Sequence, residues 1–424
     1  MTATTPTGSV PAHTSARPTS ARPTSARLRT RGRIGHSSGT WVVAFAFLSA
    51  MAFSVVPTPL WPLYQQQDGF STFVVTLAFA AYAVGVLISL FFAGHVSDWV
   101  GRKRILIPAL ALEIVSAAVF ILWTELPGLL IARVLCGIGI GMITATATAH
   151  IGELYSRAHP ESDQGRAGLI STGANMGGFA VGVLVSGLLT QYIALPLVTP
   201  YVVFIVVLVV ALILVALVPE TVRSVEAHPY RPQRIAVPRS GRGAYFAAAA
   251  IAFGAFSVFG LFSSLAPVLL AGRLGITDRA LSGLVVALVF GSAAVSQLLV
   301  GRIRARAQLG LGIVLLLVGL VGVTVSLFAA SLALVIVGGV LAGAGAGILF
   351  KNSLATGARL STPERRGETL AGIFLAGYLG LVVPVLGIGI AVLFVAQSTA
   401  VLGFAIVAGA VVIAGGLALA RKRA

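Results

Sequence analysis

From residue 41 onward the chain is a succession of long apolar runs separated by short polar connectors. A helix that crosses a bilayer needs about 20 predominantly apolar residues, and twelve runs meet that length. In chain order they are Trp41–Leu63, Thr72–Ser97, Ile105–Trp123, Gly128–Leu154, Gly165–Gln191 and Leu197–Val218, then Ala244–Ala271, Asp278–Gly301, Leu309–Ala330, Leu332–Arg359, Gly367–Val392 and Thr399–Ala420. The pattern predicts an all-α membrane protein with twelve transmembrane helices.

Composition sharpens this. Of 424 residues, 57% are hydrophobic and only 10% charged, and the mean hydropathy is +0.99. Soluble domains carry roughly 25% charged residues, so a fold of this size needs lipid as its solvent. The net charge of +17 raises nucleic acid as a partner, but the placement of the charges speaks against it. Of the 29 Lys and Arg, 26 fall on alternate connectors and at the two ends, against two, Arg273 and Arg279, on the other side. Such asymmetry marks cytoplasmic loops. It predicts both termini inside, an even number of spans and a place in the cell membrane. The Ser/Pro/Arg repeat in residues 1–40 predicts a disordered basic tail. The full-length apolar run after it, without a small-residue cleavage site, reads as a retained tail and not a signal peptide. The single cysteine, Cys136, reads as a small buried apolar residue, and no metal cluster accompanies it.

The chain also repeats itself. Ala52-Phe53-Ser54-Val55 in run 1 matches Ala255-Phe256-Ser257-Val258 in run 7, and Gly137, Gly139 and Gly141 in run 4 match Gly343, Gly345 and Gly347 in run 10. These matches predict two pseudo-symmetric six-helix bundles, 41–218 and 244–420, joined by a linker at 219–243 and followed by a short basic tail at 421–424. Such halves related about the membrane normal are a transporter architecture.

The connector between runs 2 and 3 carries the strongest motif, Gly94-His95-Val96-Ser97-Asp98-Trp99-Val100-Gly101-Arg102-Lys103-Arg104. Gly94 permits close helix approach and Gly101 a tight turn. Asp98 is suited to accept hydrogen bonds at a helix N-terminus, and the basic run suits an anionic inner leaflet. This segment resembles the signature of the major facilitator superfamily, with every specified position present, and the likeness extends over nearly the whole chain after residue 40. It resembles in particular the twelve-helix drug:proton antiporter branch. The resemblance implies that Arg102 pairs with Glu153, that Asp98 faces the start of helix 11 near Gly367, and that with Lys103 they form a conformational latch. The matching connector between runs 8 and 9, Ser296-Gln297-Leu298-Leu299-Val300-Gly301-Arg302, has no aspartate.

Two ionisable residues lie inside runs. Arg133, with Gly137 and Gly141, resembles the family's Arg-x-x-x-Gly-x-x-x-Gly signature. A charge in the bilayer needs a partner or a wet cavity. Arg133 is therefore either a cavity group that modulates proton release or meets an anionic substrate, or half of an ion pair, with Glu113 as the candidate partner. Glu113 sits about 12 Å into run 3 at 1.5 Å per residue, where a carboxyl can carry a proton. The resemblance implies that helix 3 is peripheral and that helices 1, 4, 7 and 10 line the cavity. In run 5, Gly173, Asn175, Gly177 and Gly178 partly resemble the antiporter motif but lack its proline. Small residues there, like Gly137, Gly141, Gly343 and Gly347, also serve close helix packing. Run 1 ends in Pro57-Thr58-Pro59-Leu60-Trp61-Pro62, and prolines free carbonyls and bend a helix. With Phe256, Phe259 and Phe262, and with Gln297, Asn352 and Tyr378 as sparse polar groups, the expected cavity is mostly apolar.

The reading is a secondary transporter without enzymatic activity or cofactor, exporting a lipophilic small molecule against protons and acting as a monomer. A polar metabolite such as a sugar is the alternative cargo, and a non-transporting receptor on the same fold the alternative class. A channel fits less well, since no selectivity-filter segment or ring of like charge stands out. No phosphate-binding loop is present for ATP. One expectation is immediate: in a Cys136→Ser background, single cysteines placed in the 2–3 and 8–9 connectors react with impermeant thiol reagents only from the cytoplasmic side.

Overall fold

The computed structural model describes residues 1–2, 34–92, 96–161, 165–222, 235–238, 241–362 and 365–421. Gly94, most of the basic tail, and parts of the 219–243 linker and the 421–424 tail lie outside the described residues. Everything below belongs to the compact unit Ile34–Ala424.

Twelve helices are long and apolar enough to cross a membrane. They are spans 1 (His36–Asp68), 2 (Thr72–Phe92), 3 (Arg102–Leu122), 4 (Leu126–Ala158), 5 (Gly165–Tyr192) and 6 (Thr199–Leu217), followed by 7 (Arg242–Ser264), 8 (Arg279–Leu299), 9 (Ala305–Ala329), 10 (Leu332–Leu360), 11 (Arg366–Ala391) and 12 (Gln397–Arg421). The described secondary structure is entirely helical. We call the face holding the ends of spans 1 and 12 the terminal face, and the opposite one the far face.

Span 6 shows how an all-apolar sequence is used. Tyr201, Phe204, Leu208, Ala211 and Val215 recur at helical spacing and are buried. Val202, Val206 and Ile213 on the opposite side stay about half exposed. In water that exposure is costly; hydrocarbon removes the penalty, and the backbone pairs within the helix.

Helix ends depart from the apolar runs where polarity and prolines intervene. Span 1 starts at His36, before Trp41, because His36–Thr40 continue the helix beyond the apolar stretch. Its regular helix stops at Ser54. A 3₁₀ turn at Thr58–Leu60 follows, and a helix at Trp61–Asp68 resumes to end on Gly69 at φ +71°. Span 7 repeats this design: it stops at Ser264, and the helix Ala266–Leu274 follows with Pro267 in its first turn. Run 2 was expected to reach Ser97, but span 2 ends at Phe92 and a separate turn of helix, Ser97–Val100, carries Asp98.

The two bundles repeat their crossings. Span 4 packs on spans 2 and 3, and span 10 on spans 8 and 9. A Cβ on Gly137 would collide with the Tyr82 carbonyl and lie 3.0 Å from Gly85 Cα, and one on Gly141 would lie 2.7 Å from Ser89 Oγ. Likewise Gly343 abuts the Val289 carbonyl, and a Cβ on Gly347 would lie 2.9 Å from Ser296 Oγ. Glycine lets these backbones touch, which is how helices associate where lipid supplies no hydrophobic drive. Gly178 packs against Leu48 and Met51 of span 1, but a Cβ on Gly173 or Gly177 would meet nothing within 4 Å. The packing role expected of those two glycines is therefore not seen: they lie on sides of the span that no neighbour approaches.

The bundles meet along spans 5 and 8 and along spans 2 and 11. On the far face, a Cβ on Gly187 would lie 3.1 Å from Gly283 Cα and one on Gly389 would strike Thr76, while the Arg279 N–H donates to Gln191 Oε1 at 2.9 Å.

The crossings yield a contrast. Gly137→Val is expected to destabilise the protein in detergent by about 1–3 kcal/mol through overpacking, whereas Gly177→Ala stays within roughly 0.5 kcal/mol of wild type. Thermal unfolding of the purified variants measures both.

Candidate functional site

A cavity lies between the bundles. Its geometry begins with the prolines of span 1. In an unbroken helix the Ser54 carbonyl would accept from the Thr58 N–H, but that N–H turns to Val55 (3.0 Å), and the Leu60 N–H turns to Pro57 (3.0 Å). The carbonyls of Ser54 and Val56 are thereby freed inside the membrane, where an unpaired carbonyl is costly. Arg133 of span 4 donates from Nη1 to Ser54 O at 2.8 Å, and Ser186 of span 5 donates from Oγ to Val56 O at 2.7 Å. The Arg133 Nε also reaches Ala78 O of span 2 at 3.3 Å. Its guanidinium carbon lies 4.6 Å from the Tyr82 ring centroid and 5.7 Å from that of Phe79.

Arg133, Asn175 and Tyr378 all line the cavity. Phe256 and Phe259 join them at a helical spacing that Ser263 extends, while Phe262 points away, into an apolar crevice beside Leu327 and Val335. Phe179, Phe290, Phe350 and Phe374 complete an aromatic wall. Phe256 packs edge-on against Phe350 at 4.7 Å and against Tyr378 at 5.7 Å, and Phe179 meets Phe290 across the bundles at 5.0 Å. These four phenylalanines escaped the sequence reading, although Asn175 and Phe179, or Phe374 and Tyr378, stand one helical turn apart.

Three expected site residues lie elsewhere. Glu113 is fully buried, with both carboxyl oxygens lacking a hydrogen-bond partner. It faces span 4 in a slot that Gly139 leaves open, beside Cys136, and does not line the cavity. Nor does it pair with Arg133: the ion pairs among the described residues are Arg102–Asp98 and Arg102–Glu153. Gln297 and Asn352 sit nearer the terminal face. The Gln297 carbonyl accepts from Lys351 Nζ at 2.6 Å, and Asn352 Nδ2 donates to Ile348 O at 3.0 Å. Asn352 is rotated some 200° from Phe350 about the helix axis, so only Phe350 faces the cavity.

At the terminal face the 2–3 connector is tied into its own bundle. Arg102 donates to Glu153 from Nη2 at 2.6 Å and to Asp98 from Nη1 at 2.5 Å. Asp98, 62% exposed, thus pairs with Arg102 and not with the start of span 11 near Gly367. Gly101, at φ +118°, makes the turn that lets Arg102 begin span 3. Lys103 Nζ donates to Ala216 O at the end of span 6, at 2.6 Å. The residue that occupies a helix N-terminus is one the sequence reading missed, Glu220. Its carboxylate accepts the N–H groups of Arg102 (3.0 Å), Lys103 (3.0 Å), Thr221 (2.9 Å) and Val222 (3.1 Å). The available signal was an acidic residue directly after Pro219 at the end of an apolar run. Partial burial pushes the Glu220 carboxyl up, but the N–H donors of Val222, Lys103, Arg102 and Thr221 outweigh it and hold the group below the ordinary carboxylate range.

Twelve helices long and apolar enough to cross a membrane surround a central cavity, the architecture of a multi-pass membrane protein. Residues 42–383 match the family model described as Major Facilitator Superfamily, and the chain belongs to that family. It is 27% identical over 147 residues to the inner membrane transport protein YnfM of Escherichia coli (strain K12), covering 35% of this chain and 34% of YnfM. Over 83 residues it is 34% identical to the arabinose-proton symporter of Bacillus subtilis (strain 168), covering 20% of this chain and 18% of the symporter. The chain thus spans about a third or less of the length of these curated relatives. The human organic anion transporter MFSD10 shares the fold, with a TM-score of 0.68 at 16% identity over 91% of this chain and 100% of that one.

Glu220 gives a pH test. A carboxylate held below its usual range stabilises the fold above that range, and the stabilisation is lost as pH falls through the lowered value. Glu220→Gln is expected to lower the thermal midpoint by roughly 1–3 °C near pH 7, as losing a partly exposed anion at a helix N-terminus implies. The difference from wild type should close in acid, which melting curves across a pH series would reveal.

Proposed function

We propose that the protein exports a lipophilic compound from the cytoplasm in exchange for protons, by alternating access between its two bundles, as a monomer in the cell membrane. The observation that carries this reading is the aromatic cavity at the junction of the bundles, whose exposed wall is mostly apolar. Sugars need many hydrogen-bond partners, so this wall favours a cargo of another kind than that named for the arabinose-proton symporter.

In this reading the basic connectors lie in the cytoplasm, as the positive-inside rule favours, and the terminal face with them. The far-face contacts at Gly187, Gly283 and Gly389 then belong to a state that loads from inside. Closure on the terminal face would bring Asp98 from Arg102 towards Gly367, with Gly101, Lys103 and Glu153 holding the connector rigid, so that the latch engages when the far face opens. Gly94 belongs to the same connector.

Glu113 is the proton carrier in this reading. Its carboxyl is fully buried and makes no ion pair among the described residues, and an acid inside a membrane span is suited to a proton relay. It lies behind span 4, where a proton can alter how span 4 seats without occupying the cargo site.

Purified protein in liposomes with an imposed pH gradient tests the proposal. A panel of lipophilic compounds should include at least one whose uphill, saturable flux stops when a protonophore collapses the gradient. Glu113→Gln should abolish uphill transport while sparing downhill exchange. Gradient-independent flux would remove the proton coupling, and undiminished uphill flux in the variant would remove Glu113 from it.

A further inference from the structure

The cavity wall is electrically one-sided. Among the described residues, Arg133 is the one charged side chain that lines it, and no aspartate or glutamate does. Of the five guanidinium N–H groups, the hydrogen bonds described take one to Ser54 O and one to Ala78 O. Carbonyl groups orient the cation but do not neutralise it. The rings of Tyr82 and Phe79 soften its charge without cancelling it. Glu113, the buried acid of the neighbouring span, makes no ion pair with it. A full positive charge therefore stands on a wall of low dielectric, where an incoming anion is attracted strongly and an incoming cation repelled.

The remaining polar side chains of the wall are uncharged and can donate to an anion as well as accept. The amide of Asn175 and the hydroxyls of Tyr82 and Tyr378 line the same cavity. Tyr82 belongs to span 2 and Tyr378 to span 11, so an anion held here touches both bundles. In the same cavity Phe256, Phe259, Phe290 and Phe350 offer ring surface.

We propose that the cargo is an amphipathic monoanion, an aromatic carboxylate or sulfonate, whose head group sits on Arg133 and whose ring system lies among the phenylalanines of the second bundle. The inference rests on the lipophilic-cavity reading above and adds the sign of the charge. It makes lipophilic ammonium compounds poor cargoes, because nothing on the wall supplies the carboxylate they need.

Equilibrium binding to the purified full chain in neutral detergent tests it with three probes of one shape: 4-biphenylcarboxylate, 4-biphenylcarboxamide and 4-biphenylmethylammonium. The carboxylate should bind about tenfold more tightly than the amide, the size of one charge-assisted hydrogen-bonded pair, and the ammonium should bind most weakly. Arg133→Gln should bring carboxylate and amide to within about threefold of each other, since the charged partner is gone. Tyr378→Phe should weaken the carboxylate more than the amide, and together with the wild-type series it decides the matter if Arg133→Gln does not fold. Equal binding of all three, tighter binding of the ammonium, or an Arg133→Gln protein that keeps the tenfold preference overturns the inference and leaves the lipophilic carrier standing. Binding of none of the three overturns both.

Discussion

The hydrogen bond from Arg133 to the Ser54 carbonyl is the hinge on which the described site turns. Three prolines at positions 57, 59 and 62 break the first span where lipid offers no water to pair the freed carbonyls. Arg133 and Ser186 supply donors from spans 4 and 5, so the break becomes a junction of three helices and not a defect. The same bond holds a cation at the cavity wall. Structure and chemistry thus have one cause: the groups that satisfy the broken backbone set the electrostatics of the site.

Around that junction the molecule divides labour by side-chain size. Where helices must cross tightly, as at Gly137 against Tyr82 and Gly343 against Val289, glycine brings backbones into contact. Where the bundles face each other around the cavity, Phe179 of the first meets Phe290 of the second and aromatic rings line the space between them.

The two bundles solve the same problem at the terminal face with different chemistry. The first ties its 2–3 connector with Arg102, Glu153 and Glu220. The second, whose connector has no aspartate, uses Lys351 on the Gln297 carbonyl and Gln308 on those of Val300 and Ile303 at 3.0 and 2.6 Å. In each case charged or amide side chains occupy the unpaired backbone groups of helix ends, so the pseudo-symmetry extends to the task but not to the residues.

Apolar runs of spanning length and the alternation of basic connectors made twelve helices legible from sequence, because lipid imposes length and polarity on each helix separately. The prolines of run 1, the repeat of Gly137 in Gly343 and the buried charge of Arg133 were legible for the same reason: each is a local cost that needs a remedy. The remedies were not legible. That Ser54 and not Glu113 receives Arg133, that Glu220 and not Asp98 caps a helix start, and that Gln297 and Asn352 turn away from the cavity depend on how helices rotate against one another. In a chain that is apolar on nearly every side, the hydrophobic pattern does not set that rotation. Only the packed contacts between spans decide it, through the few places where glycine lets two backbones touch.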